Sequence, residues 1–224
     1  FTTTRTFKTL ANVFGTSFET VTATLKFQGT NIVIYVDNES PTGFTDEAIA
    51  ALGPLFDQTL YPIGSAAFGS ESDIDSNGRI IVLMTPKVNA LVNAGECAEQ
   101  GFITGYFFGF DLASTGTNSN RGEVFYTLVP DPSGQFSCAH AVDDVEQIVP
   151  ATFIHELQHM ISYNQHVLVR NGDEEDVWLN EGLSLIAEEL ASRYYEDRYP
   201  PPTGRTNPEQ LFPDSAQGFI TNNL

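Results

Sequence analysis

Basic residues are scarce in this chain. Ten Lys and Arg stand against 29 Asp and Glu, and only three of the ten are lysine. The net charge of −19 and the pI near 4.2 argue against nucleic-acid binding, because phosphates would be repelled. A lysine-poor, acidic chain suits a secreted protein or one that holds divalent cations, and plain solubility accounts for it equally well. Long hydrophobic runs are missing as well: no stretch of about 18 apolar residues occurs, so no membrane span is expected. No basic segment followed by an apolar stretch opens the chain, which has either lost a signal peptide or never had one. Cysteine is limited to Cys97 and Cys138. They form no Cys-x-x-Cys pair, which argues against a thiolate zinc cluster. They are either a candidate disulfide in an oxidising compartment or two free thiols.

What the chain does contain is enough for a packed globule: 41% hydrophobic and 12% aromatic residues in 224, room for one or two domains. Residues 1–36 read as strands. Thr20–Phe27 is rich in β-branched residues, and Asn31–Val36 and Ile80–Met84 are short apolar runs of the kind buried in a sheet. Between them Thr45 is a plausible N-cap for a helix with Ile49, Leu52, Leu55 and Phe56 on its buried face, ending near Tyr61-Pro62. Residues 93–122 are loop-like, interrupted by the aromatic segment Phe102–Phe108, and Glu123–Val129 is a further strand ended by Pro130-Asp131-Pro132. It stands just before the next helix and reads on its own as a plain strand. Asp143 and Asp144 open that helix, with Pro150 tolerated or producing a small kink, and a second helix covers about 177–196. The expected architecture is an α+β unit over 1–199, a twisted mixed sheet followed by two long helices. Residues 200–224 form a Pro/Asn-rich tail or the start of a further segment.

Ahead of the Ile80 strand, Asp73, Asp75 and Asn77 alternate in a turn that reaches Gly78. Alternating oxygen ligands of this kind begin a calcium loop, but the bidentate Glu of an EF-hand would fall at Met84. The turn therefore reads either as a calcium site helped by Glu71 or a distant carboxylate, or as an ordinary Asx turn.

The densest chemistry is in Phe153-Ile154-His155-Glu156-Leu157-Gln158-His159. Two histidines four apart on a helix share one face, with Cβ atoms roughly 6 Å apart, and both can reach one zinc ion. Glu156 falls beside the metal, where a carboxylate can take a proton from coordinated water. The plain alternative is a solvated helix with two stray histidines. Zinc also needs a third protein ligand. Glu181, 22 positions after His159 on the following helix, qualifies. Glu188 lies two turns further along the same face and could accept a hydrogen bond from a ligand imidazole. Glu189 competes for that role, and a solvated face explains either.

His155-Glu156-Leu157-Gln158-His159 together with Trp178-Leu179-Asn180-Glu181-Gly182 resembles the gluzincins, zinc peptidases with His, His and Glu ligands, and within them the secreted bacterial hyicolysin-type neutral metallopeptidases. The resemblance is specific over about 143–190 and loose before it. It implies a zincin-like fold, zinc on His155, His159 and Glu181, Glu156 as general base, secretion, and a protein or peptide substrate; a monomer is expected. Zinc peptidases commonly carry an exposed edge strand just before the active-site helix that holds substrate by β-augmentation, and Glu123–Val129 stands in that place. Trp178–Gly182 also resembles aminopeptidase N-type enzymes, but their Gly-x-Met-Glu-Asn signature is absent, which favours an endopeptidase. An aminopeptidase and a non-catalytic secreted metal-binding module are the competing functions. Tyr163, His166, Tyr194 and Tyr195 are candidates for the donor that steadies an oxyanion.

Overall fold

The computed structural model describes residues 1–41, 44–112 and 116–198, the last four of these by backbone alone; the expected tail over 200–224 lies outside the described residues. A six-stranded mixed sheet is covered by helices, an α+β zincin-like arrangement. In chain order the strands are β1 (Thr4–Leu10), β2 (Phe18–Gln28), β3 (Ile32–Asp37), β4 (Ile80–Met84), β5 (Gly105–Phe107) and β6 (Val124–Thr127). Their order across the sheet is β1-β2-β3-β4-β6-β5. β1, β2 and β3 are antiparallel neighbours, β3-β4 and β4-β6 are parallel, and β5 returns antiparallel on β6. The central parallel strands are covered on both faces, which is why β4 and β6 are buried at every position.

The helices are α1 (Asp46–Leu55), α2 (Tyr61–Phe68), α3 (Pro86–Asn89), α4 (Ala94–Gln100), α5 (Val142–Tyr163) and α6 (Val177–Arg198). Thr45 caps α1 as expected, its hydroxyl accepting from the Ala48 amide at 3.1 Å. The helix does not end at Tyr61-Pro62. A wide π-type turn over Phe56–Leu60 intervenes, and Pro62 falls in the first turn of α2, where its missing N–H breaks no helical bond. α5 runs unbroken through Pro150.

α5 lies across the sheet. Phe153 stacks on Phe56 with centroids 4.5 Å apart and meets Phe125 of β6 edge-on at 5.8 Å. On its other flank α2 comes so close that a Cβ on Gly64 would sit 2.7 Å from the terminal methyl of Leu157, which would have to shift. Cys97 on α4 is disulfide-bonded to Cys138 in the segment leading to α5, with Cα atoms 5.9 Å apart. Among the described residues no helix is long and apolar enough to cross a membrane.

The edge of the sheet differs from expectation. β6 is an interior strand paired on both sides, and the open edge belongs to β5. A three-residue strand beginning at Gly105 gives little periodic signal, and edge or centre depends on pairing that local sequence does not encode. Gly105 itself is required by close approach: a Cβ there would lie 2.6 Å from the Tyr126 carbonyl oxygen and 2.7 Å from Thr152.

Candidate metal centre

α5 and α6 supply the site between them. Residues 155 and 159 lie one turn apart on α5, and their rings face each other edge-on with centroids 4.8 Å apart. α6 presents Glu181, Ser184 and Glu188 on one face, at spacings of three and four. Glu181 Oε2 is 3.3 Å from His155 Nε2, and Glu181 Oε1 is 3.7 Å from His159 Nε2.

The outer nitrogen of His155 decides what its inner contact is. His155 Nδ1 lies 2.7 Å from Glu188 Oε1, and a carboxylate can only accept there, so Nδ1 carries the proton. Ser184 donates its hydroxyl proton to Gln158 Oε1 at 2.6 Å, and its oxygen lies 3.2 Å from His159 Nδ1 and 3.4 Å from His159 Nε2. A neutral His155 protonated on Nδ1 has its lone pair on Nε2, aimed at a carboxylate that also offers only lone pairs. Two imidazole nitrogens and a carboxylate turned on one point suit a cation between them. Tetrahedral zinc with bonds of 2.0–2.1 Å has ligand atoms roughly 3.3–3.4 Å apart. The 3.3 Å contact falls in that range, and the 3.7 Å contact, made by the other carboxylate oxygen, is longer.

Electrostatics reinforce the arrangement. Burial works against a charge on His155, but the Glu188 hydrogen bond and the carboxylates of Glu156, Glu188 and Glu181 outweigh it and raise its pKa. The Glu188 carboxylate is 3% exposed and its Oε2 has no hydrogen-bond partner, so its charge is directed at His155. Glu189, the competing residue, is exposed and paired with Arg193 at 2.8 Å.

Glu156 is buried beside the two histidines, and its Oε2 accepts from the Phe107 amide at 2.7 Å. Burial pushes its carboxyl up, and the neighbouring imidazoles of His159 and His155 offset part of that. It lines a cleft of about 800 Å³. One wall is aromatic, with Tyr106, Phe107, Phe110 and Tyr163; the other carries Glu174, Glu175 and Glu181. Of the oxyanion candidates, Tyr163 alone lines this cleft. His166 is turned to Glu175 at 3.4 Å, Tyr194 is packed against the core, and the Tyr195 side chain is outside the described residues.

Two contributors escaped the sequence reading. Ser184 was readable, since it repeats the spacing of Glu181 and Glu188 on α6. The Phe107 amide was not, because a backbone group leaves no mark on the residue type. At the Asp73 turn, Asp73 and Asp75 come together with Glu123; Asn77 stays beside them, its side-chain amide donating to Asp75 Oδ2 at 2.6 Å and its Oδ1 accepting from the Arg79 amide at 2.7 Å.

No family model matches the chain. It is 29% identical over 183 residues to the neutral metalloprotease ShpI of Staphylococcus hyicus, an alignment that takes in 81% of this chain. The chain spans about two fifths (39%) of that protein's length. The two proteins are related, in line with the resemblance carried by the motifs of α5 and α6.

Proposed function

We propose that this relative of a neutral metalloprotease is a zinc-dependent endopeptidase whose ligands are His155, His159 and Glu181. The observation that carries the reading is the convergence of two Nε2 atoms and one carboxylate, at 3.3 and 3.7 Å, beside a buried glutamate. Zinc held there would polarise a peptide carbonyl and lower the pKa of coordinated water toward about 7.

The chain's own residues do the rest. Glu156 is the general base: its carboxylate takes the proton of the attacking water and delivers it to the leaving amine. The Phe107 amide fixes Oε2, so the other oxygen is the one free to face the cleft. Glu188 holds the tautomer of His155, and Ser184 braces the ring of His159. β5, on the open edge of the sheet and lining the cleft, offers backbone groups to an extended peptide. Tyr163 is the candidate donor toward the oxyanion. A disulfide between Cys97 and Cys138 suits an oxidising compartment, so the proposed enzyme works outside the cytosol.

The test is proteolysis of a denatured protein by the zinc-loaded chain, with and without a chelator. An internally blocked peptide and a free aminoacyl reporter are run alongside. Chelator-sensitive cleavage of the blocked peptide is expected. Glu156→Gln should retain zinc while turnover falls by about 10²–10⁴-fold. Full activity in that variant refutes the base, and cleavage of the aminoacyl reporter alone makes the enzyme an exopeptidase.

A further inference from the structure

A second group of carboxylates meets away from the cleft, where the loop before β4 touches the loop before β6. Asp73, Asp75 and Glu123 each bring an oxygen within 4.8 Å of the others. Glu123 differs in kind from the two exposed aspartates, because it is 1% exposed. Its Oε1 accepts from the Ser72 hydroxyl at 2.5 Å and from the Ile74 amide at 3.1 Å, while its Oε2 is buried with no hydrogen-bond partner. A buried carboxylate oxygen without a donor is unfavourable unless a proton or a cation meets it. Glu71 repeats the pattern next door: one oxygen accepts from the Tyr61 hydroxyl at 2.9 Å and the other is buried without a partner. Burial raises the Glu71 pKa, and the charges of Glu123 and Asp73 add to the effect. Among the described residues none of these four carboxylates is in an ion pair.

We propose that Asp73, Asp75 and Glu123 bind one calcium ion, with Glu71 at the margin of the site. The donors are all hard oxygens, which favours calcium over zinc. Oxygens bound to one calcium at 2.3–2.6 Å lie at most roughly 5 Å apart, a span that accommodates this cluster. The first half follows an EF-hand, with Asp73 and Asp75 in alternate positions and Gly78 making the sharp turn at φ 66°. The second half does not, because the chain enters β4 instead of a helix. The deep carboxylate comes from Glu123, which stands just ahead of the neighbouring strand β6 and whose carbonyl accepts from the Ile81 amide at 2.8 Å. The loop ending at Gly122 is pressed so close that a Cβ there would lie 2.8 Å from Asp75 Oδ2. A cation at this point therefore clasps the entrances of two parallel strands, β4 and β6.

The experiment titrates calcium chloride into the zinc-loaded chain, dialysed free of calcium, by calorimetry and by melting. Wild type should bind one calcium per chain and melt at higher temperature with it. Asp75→Asn, at an exposed position, should weaken binding at least tenfold, and Glu123→Gln should do the same if it folds. Asp46→Asn, an exposed acid elsewhere, should bind like wild type. No saturable binding and no melting shift up to about 5 mM calcium, or equal weakening by Asp46→Asn, overturns the site. Neither readout depends on peptidase activity.

Discussion

His155 Nδ1 lies 2.7 Å from a Glu188 carboxylate that is itself almost wholly buried. One hydrogen bond thus fixes which ring nitrogen is free, and it does so from a different helix. Removing the carboxylate leaves an N–H without an acceptor and lets the ring turn. Glu188→Ala should lower zinc affinity by about 10–100-fold, read by competition with a chromogenic chelator. Glu189→Ala, one position along and exposed, is the comparison. Equal affinities for the two variants would show that Glu188 does not position the ligand.

Asp111 gives the fold an acid-side stability dependence. It is fully buried, its Oδ1 accepts from the Asn120 amide at 2.6 Å and its Oδ2 accepts from the Tyr126 hydroxyl. Burial, only partly offset by those hydrogen bonds, pushes its carboxyl from 3.8 up to about 6. Between those values the folded chain holds a proton that the unfolded chain has released. Stability is therefore greatest on the acid side of this window and falls as pH rises through it. The loss is about 3 kcal/mol, from about 2.2 units at 1.36 kcal/mol each. Asp111→Asn should flatten that component, measured as the urea midpoint at successive pH values. Parallel profiles for variant and wild type would rule the assignment out.

The disulfide closes a loop with a sequence separation of 41. Loop-closure entropy assigns about 4 kcal/mol to a cross-link of that length. The double variant Cys97→Ser/Cys138→Ser should melt well below wild type, and reduction of wild type should bring its transition down to nearly the same temperature. Unchanged melting in both would mean that the bond adds nothing to stability.

Much of the site was readable because helical periodicity acts over one or two turns. The spacing of His155 and His159 needs only that α5 be a helix, and Glu181 and Glu188 share a face of α6 for the same reason. The apolar run Ile80–Met84 announced a strand buried on both faces. What escaped reading depends on partners far along the chain. Nothing near Gly105 says that β5 closes the sheet, and Pro62 looks like a helix stop until the wide turn before it is seen. Glu123 reads as an ordinary strand residue until the Asp73 loop is folded against it.

The 2.7 Å hydrogen bond from the Phe107 amide to Glu156 ties the rim of the cleft to the buried carboxylate. On the proposed function, a peptide laid along that rim would lie against the strand whose amide holds the carboxylate. On the proposed chemistry, poorly seated substrates should then be distinguished by slow turnover more than by weak capture, because a bent rim leaves the base pointing away from its water.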